Sequence, residues 1–220
     1  MHRAFLAVPL LMLFAAFAAA ADTTLPIVEE VEWGPFRAHC RQLLKAFEET
    51  KAPLPAETVR AVQALLDRKP DDTEAAARAV QKLLDARCLL VVSINPESRV
   101  KAMRGPAVPE LRQNHETLAL IKVHNDGGVT HALRLRGPEI VRPGERDDGR
   151  WLQATVVTKA PFDAKLSGRR LEYRLLRLLP RQAGKREATF QFDVGQGTQD
   201  LGFRAEVPVL FSIQKPARKD

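Results

Sequence analysis

At Cys88 the hydrophobic period of the chain changes from about 3.6 residues to 2. No single regular element can follow both, so a helical stretch must be joined to a run of strands. Before the change, Phe36, Cys40, Leu43, Leu44 and Phe47 recur at the spacing of one helix face, with Pro35 in the first turn. A second helix is expected from about Ala56, burying Val59, Val62, Leu65 and Leu66 until Lys69-Pro70 stops it. A third is expected after a capping-box-like pair, Asp71 and Glu74, burying Ala76, Val80, Leu83 and Leu84. The runs Arg60–Asp67 and Arg78–Asp85 are near copies, which suggests duplication of one helix. Two copies are too few for a stacked-repeat solenoid, so a helical hairpin or small bundle follows.

After Cys88, Leu90, Val92 and Ile94 open a strand that stops at Asn95-Pro96, and Val100 and Ala102 fit a neighbour that stops at Gly105-Pro106. Asn125-Asp-Gly-Gly128 offers a two-residue hairpin turn that would set Leu120 opposite Leu133 and Lys122 opposite His131. Further strands are expected over Leu152–Thr158, Leu171–Leu179, Arg186–Val194 and Glu206–Ile213, with Pro208 marking an edge. About eight strands with turns between them predict an α+β chain: three helices followed by an antiparallel β-sandwich of immunoglobulin-like type.

The N-terminus carries a different signal. Met1-His2-Arg3 precedes an apolar run from Ala4 to Ala21 that ends in small residues, the pattern of a cleavable secretory signal. The cut falls before Asp22 or one residue earlier. A retained anchor is the competing reading, although the run is short and rich in Ala. The expected organisation is therefore a signal peptide over 1–21, a helical segment over 22–88, a sandwich over 89–213 and a disordered tail over 214–220, in a periplasmic or extracellular protein. In that oxidising setting Cys40 and Cys88 are a candidate disulfide that would staple the first helix to the start of the strands and contribute about 3–4 kcal/mol. Two separately buried thiols are the alternative.

Charge separates along the same boundary. Cleavage would lower the formal net charge from +7 to +6; residues 22–88 sum to −2 and residues 89–220 to +8. A basic sandwich in an exported protein suits an anionic polysaccharide or an acidic protein partner, or serves solubility. The compartment argues against nucleic acid, and no membrane association is expected after cleavage.

Motifs for chemistry are sparse. His115-Glu116 lacks the second histidine of a zinc-protease helix, since position 119 is Ala. His124 and His131 would share a face in the hairpin register, but Lys122 beside them opposes a divalent cation. Asp193-Val-Gly-Gln-Gly-Thr-Gln-Asp200 connects two strands, so it lacks the helix N-terminus of a phosphate loop and the spacing of an EF-hand. There is no G-x-S-x-G, and neither Cys has a catalytic context. No catalytic residue, metal or cofactor is therefore assigned. Trp151 and Tyr173 are left as possible sugar platforms. The candidate anion-binding residues are Arg169, Arg170, Arg174, Arg177, Arg181, Lys185 and Arg186. With Leu171, Tyr173, Leu175 and Leu179 facing inward, Arg170 and Arg174 would project outward together, and Arg forks suit sulfate, phosphate and carboxylate.

The stretch Cys88-Leu-Leu-Val-Val-Ser-Ile-Asn-Pro-Glu-Ser-Arg-Val-Lys101, together with Lys122-Val-His-Asn125, Leu166-Ser-Gly168, Ala183-Gly-Lys-Arg-Glu-Ala188 and Phe192-Asp-Val-Gly-Gln-Gly-Thr-Gln-Asp-Leu-Gly-Phe-Arg204, resembles a β-rich region of uncharacterised exported bacterial proteins. In some of these it precedes a PHP-type metal-dependent hydrolase domain. The resemblance implies a stand-alone accessory module, because only a short tail follows Ile213 and the clustered histidines of such a hydrolase are missing. It transfers no catalytic residue. The leading expectation is a non-catalytic binding module; a structural or assembly protein of the envelope and a metal-dependent hydrolase with an unrecognised site are the alternatives.

Overall fold

The computed structural model describes residues 24–49, 54–195 and 204–216, so the expected leader over 1–21 and the last residues of the expected tail lie outside it. Three helices form where the apolar spacing places them: α1 (Trp33–Glu48), α2 (Ala56–Asp67) and α3 (Thr73–Asp85). The α1 stripe buries Phe36, Cys40, Leu43, Leu44 and Phe47. The α3 cap is one residue later than expected. Asp72, not Asp71, accepts the Glu74 and Ala75 N–H groups at 2.9 Å, and with it the buried alanine is Ala77 rather than Ala76.

Among the described residues ten strands follow, in chain order β1 (Cys88–Ile94), β2 (Val100–Arg104), β3 (Glu110–Arg112), β4 (Thr117–Asn125), β5 (Arg134–Arg136), β6 (Ile140–Val141), β7 (Leu152–Val156), β8 (Leu171–Pro180), β9 (Gly184–Asp193) and β10 (Arg204–Gln214). One sheet has the order β2-β1-β4-β8-β7-β6 and the other β3-β10-β9-β5. The chain is α+β, but the sheets are mixed: β1 with β4, β3 with β10 and β6 with β7 run parallel. The cause is sheet switching. After β2 the chain visits the second sheet as β3, then returns as β4 beside β1 in the same direction; β5 and β6 make a second switch. The strand β10 also takes in Gln214, the first residue of the expected tail.

The expected hairpin at Asn125-Asp-Gly-Gly128 does not form. Asn125 instead brackets Val129, accepting its N–H at 3.0 Å and donating to its carbonyl at 2.9 Å, which turns the chain out of the sheet. Gly127 passes so close to β1 that a Cβ there would lie 2.5 Å from the Asn95 carbonyl oxygen. β4 therefore sits between β1 and β8, with Lys122 opposite Tyr173, and β5 pairs with β9.

Two cores result. Val92, Ile121, Leu176, Phe190, Phe192 and Phe211 belong to the one between the sheets, and Trp151 packs edge-to-face on Phe211 with ring centroids 6.0 Å apart. The second lies on the outer face of the six-stranded sheet, where Cys88, Val91, Leu120, Leu171, Tyr173 and Leu175 meet α1, α2 and α3. The alternation of β8 thus serves both layers, odd residues toward the helices and Leu176 and Leu178 toward the other sheet. Cys40 and Cys88 are both buried in the helical core as free thiols, so the expected disulfide is absent. Among the described residues, no helix is long and apolar enough to cross a membrane.

Candidate functional site

Charged side chains are the most informative part of the interior. Lys122, expected beside His131, is fully buried on β4, its Nζ 2.7 Å from Asp85 Oδ2 and 2.7 Å from the Pro26 carbonyl oxygen. Tyr173 donates its hydroxyl to Asp85 Oδ1 at 2.7 Å. Burial pushes the Asp85 carboxyl up, against the pull of Lys122 and Tyr173. The extended residues before α1 are strapped across this cluster: Gln81 accepts the Val28 N–H at 2.9 Å and donates to the Val28 carbonyl at 2.8 Å. Burial also raises the Cys40 and Cys88 thiols, which leaves them inert as nucleophiles. Each polar atom here is occupied in holding helix, strap and sheet together. Sequence patterning missed the cluster because Asp85, Lys122 and Tyr173 lie on three separate elements that only the tertiary fold brings together.

At the same end of β8, ladder positions that lose their neighbouring strand are closed by side chains. β7 stops at Val156, so Tyr173 has no strand partner on that side, and His39 of α1 sets its Nε2 2.9 Å from both the Tyr173 N–H and the Tyr173 carbonyl oxygen. Burial lowers the His39 pKa to about 4. Arg174 is 3% exposed rather than projecting outward. It donates to the Asp163 and Lys165 carbonyls and pairs with buried Glu172 at 3.6 Å, holding the loop before β8 shut. The cleft beside it, about 400 Å³ and lined by His39, Phe162, Glu172 and Arg174 among others, is built of groups already committed to one another.

The rest of the basic stretch is dispersed. Arg169 pairs with Glu32 at 3.1 Å, Arg170 with Glu30 and with Asp126 at 2.9 Å, and Arg177 with Glu116 at 3.2 Å. Arg181 reaches Gln153 at 3.4 Å, Arg186 the Ala183 carbonyl at 3.3 Å, and Lys185 stands exposed on β9. The acidic strap therefore neutralises Arg169 and Arg170, the two residues nearest it. Trp151 and Tyr173 are buried and cannot serve as sugar platforms. His124 lies 3.1 Å from Asp126 and is not on a hairpin with His131; among the described residues no group of side chains is disposed to hold a metal. The loop after Asp193 lies mostly outside the described residues; Asp193 itself accepts the Gly195 N–H at 2.8 Å.

Positive charge also gathers at a seam where the two sheets part. An opening of about 350 Å³ lies between β5 and β7, lined by Leu133, Leu135, Ala154 and Val156 below and by Arg134, Arg136 and Arg142 around the mouth. Arg142 and its neighbour Arg150 share one carboxylate, Glu145. Arg134 Nη1 lies 3.7 Å from Asp193, and no ion pair involves Arg136 among the described residues. Arg134 and Arg136 thus line the opening with one carboxylate, Asp193, between them, whereas Arg142 is paired with Glu145 and Arg150 spends its donors on Glu145 and on the Ile140, Arg146 and Asp147 carbonyls. Nothing in the local sequence signalled this, since Arg134, Arg136 and Arg142 come together only through the β5-to-β6 sheet switch.

No protein-family model and no curated protein matches the chain. Solved structures similar to it include the ASH/PapD-like domain 7 of human CEP192 (11% identity, 60% of this chain and 89% of that chain, TM-score 0.32). PbICP-C in complex with falcipain-2 (8%, 48% and 84%, TM-score 0.29) and the cysteine protease inhibitor EhICP2 from Entamoeba histolytica (10%, 57% and 95%, TM-score 0.26) are also similar. At these TM-scores the likenesses carry no functional assignment.

Proposed function

We propose that this chain is an exported, non-catalytic binding module, an immunoglobulin-like sandwich backed by helices, that takes an anionic partner at the seam between β5 and β7. The carrying observation is the charge imbalance there: Arg134 and Arg136 line the opening against the single carboxylate of Asp193. Guanidinium groups that lack a full set of carboxylates keep donors to offer. The stretch around Arg169–Arg177 is a weaker choice, because its charges are already matched by Glu32, Glu30, Asp126, Glu172 and Glu116. Export rests on the N-terminal signal pattern.

The test is binding of the protein to polyglutamate and to a sulfated polysaccharide at low and high salt. Binding should weaken with salt and, in Arg136→Glu/Arg142→Glu, by at least about tenfold, while Arg170→Glu leaves it nearly unchanged. Absence of any salt-sensitive binding, or loss only in Arg170→Glu, would refute the assignment.

A further inference from the structure

Where α3 ends, three parts of the chain meet without filling the space between them. Gly105 presses the connection after β2 against β1: a Cβ there would lie 2.1 Å from the Cys88 carbonyl oxygen. Gly105 and Ala107 donate to the Leu89 and Cys88 carbonyls at 2.8 and 3.0 Å, which sets Pro106 beside the helix end. The strap arrives from the other side, held at the Pro26 carbonyl by Lys122 and at both backbone groups of Val28 by Gln81. An opening of about 470 Å³ remains between strap, helix end and connection. Leu25, Ile27, Ala86 and Pro106 form its apolar walls, and Thr24, Lys82 and Asp85 are its polar side chains. An apolar body with a few polar groups is the make-up of a small-molecule site.

Those polar groups decide what fits. Asp85 has spent both oxygens, Oδ1 on the Tyr173 hydroxyl and Oδ2 on Lys122, whose ammonium balances its charge at 2.7 Å. The neighbouring surface cations are matched as well, Arg78 by Glu29 and Glu74 and Arg87 by Glu57. Lys82, in the last turn of α3, is exposed, and no ion pair involves it among the described residues. Thr24, also exposed, adds a hydroxyl donor. Pro106 has no N–H to offer. A molecule polar along its length would therefore give up its water against these walls without replacement, whereas an apolar chain with one anionic end would not.

We infer that this opening binds a fatty acid, with the acyl chain along Leu25, Ile27, Ala86 and Pro106 and the carboxylate on Lys82 and the Thr24 hydroxyl. The site is separate from the seam and independent of what binds there. Because the strap forms one wall, an occupant bridges strap and helix and holds the strap down. The experiment is an amide NMR titration of the protein, in the form the cell produces, with decanoate, decanol and butyrate below micellar concentration. Decanoate should bind about threefold to fivefold tighter than decanol and at least about tenfold tighter than butyrate. It should shift the Leu25, Ile27 and Ala86 amides and slow exchange of the Val28 N–H. Lys82→Glu should remove the preference for decanoate over decanol. Ala86→Phe, which fills the opening from an exposed position, should weaken both ligands at least about tenfold; Pro106→Glu tests the opposite wall should Ala86→Phe lower the unfolding midpoint. No binding of decanoate, equal binding of decanoate and decanol, or shifts confined to other residues overturns the assignment, as do wall variants that bind like the unaltered protein.

Discussion

Gln63 and Gln81 occupy the same position in the two near-copies, yet Gln63 is exposed while Gln81 is buried against both backbone groups of Val28. Asp67 and Asp85 diverge in the same way, one pairing with Arg41 on the surface and the other with Lys122 inside. The repeat was legible in sequence, as were its shared Val62 and Val80; the division of labour was not, because it depends on which copy faces the strap. Gln81→Ala should therefore cost about 2–3 kcal/mol in denaturant unfolding, by stranding two buried backbone groups, and Gln63→Ala less than about 0.5 kcal/mol. Asp85→Asn should cost about 3–5 kcal/mol, since it leaves the Lys122 ammonium buried without a counter-charge, and adding Lys122→Met should recover part of that loss. A double variant no more stable than Asp85→Asn would show that the pair does not act as a unit.

Elements were readable where local pattern and tertiary role agree. In β9 the expected alternation of Ala188, Phe190 and Phe192 into the core is what the sandwich uses, whereas Pro208, expected to mark an edge, lies in β10, which has β3 on one side and β9 on the other; β3 reaches only Ser212 to Gln214, so the proline costs no ladder bond. The hairpin failed because β4 takes partners on both sides that lie far away in sequence, and the Asn125 bracket bends the turn aside. His39 illustrates how one helix residue completes a strand. Its folded pKa of about 4 lies below the ordinary 6.5, so the unfolded chain takes up a proton first as pH falls. The stability present above pH 6.5 is thus lost between about 6.5 and 4, by up to about 3 kcal/mol. In His39→Gln, which keeps an acceptor for Tyr173, that part of the pH dependence should disappear from unfolding curves; an unchanged slope would mean that other groups produce it.

At the scale of the molecule, the change of period at Cys88 correctly located the passage from helices to strands but concealed how the two parts join. Both faces of the six-stranded sheet are buried, one by the second sheet and one by the helices, and Cys88 and Tyr173 belong to the helical core. The cysteines were legible as apolar-face residues, whereas their bonding state depended on geometry that spacing does not carry. Sharing a sheet predicts joint unfolding. Trp33 packs with the helical core and Trp151 with the sandwich core, so single-tryptophan variants Trp33→Phe and Trp151→Phe should report coincident fluorescence transitions. Separation of the two midpoints would make the helices an independent unit.

The order of the second sheet, β3-β10-β9-β5, has a consequence for the order in which the sandwich can close. β3, formed from residues near the middle of the sequence, finds its strand partner among the described residues in β10, which also brings Val207, Val209, Phe211 and Ile213 to the core. Until residues 204–214 are in place the core between the sheets lacks these four side chains and β3 lacks its ladder, so β10 is the latch of the sandwich.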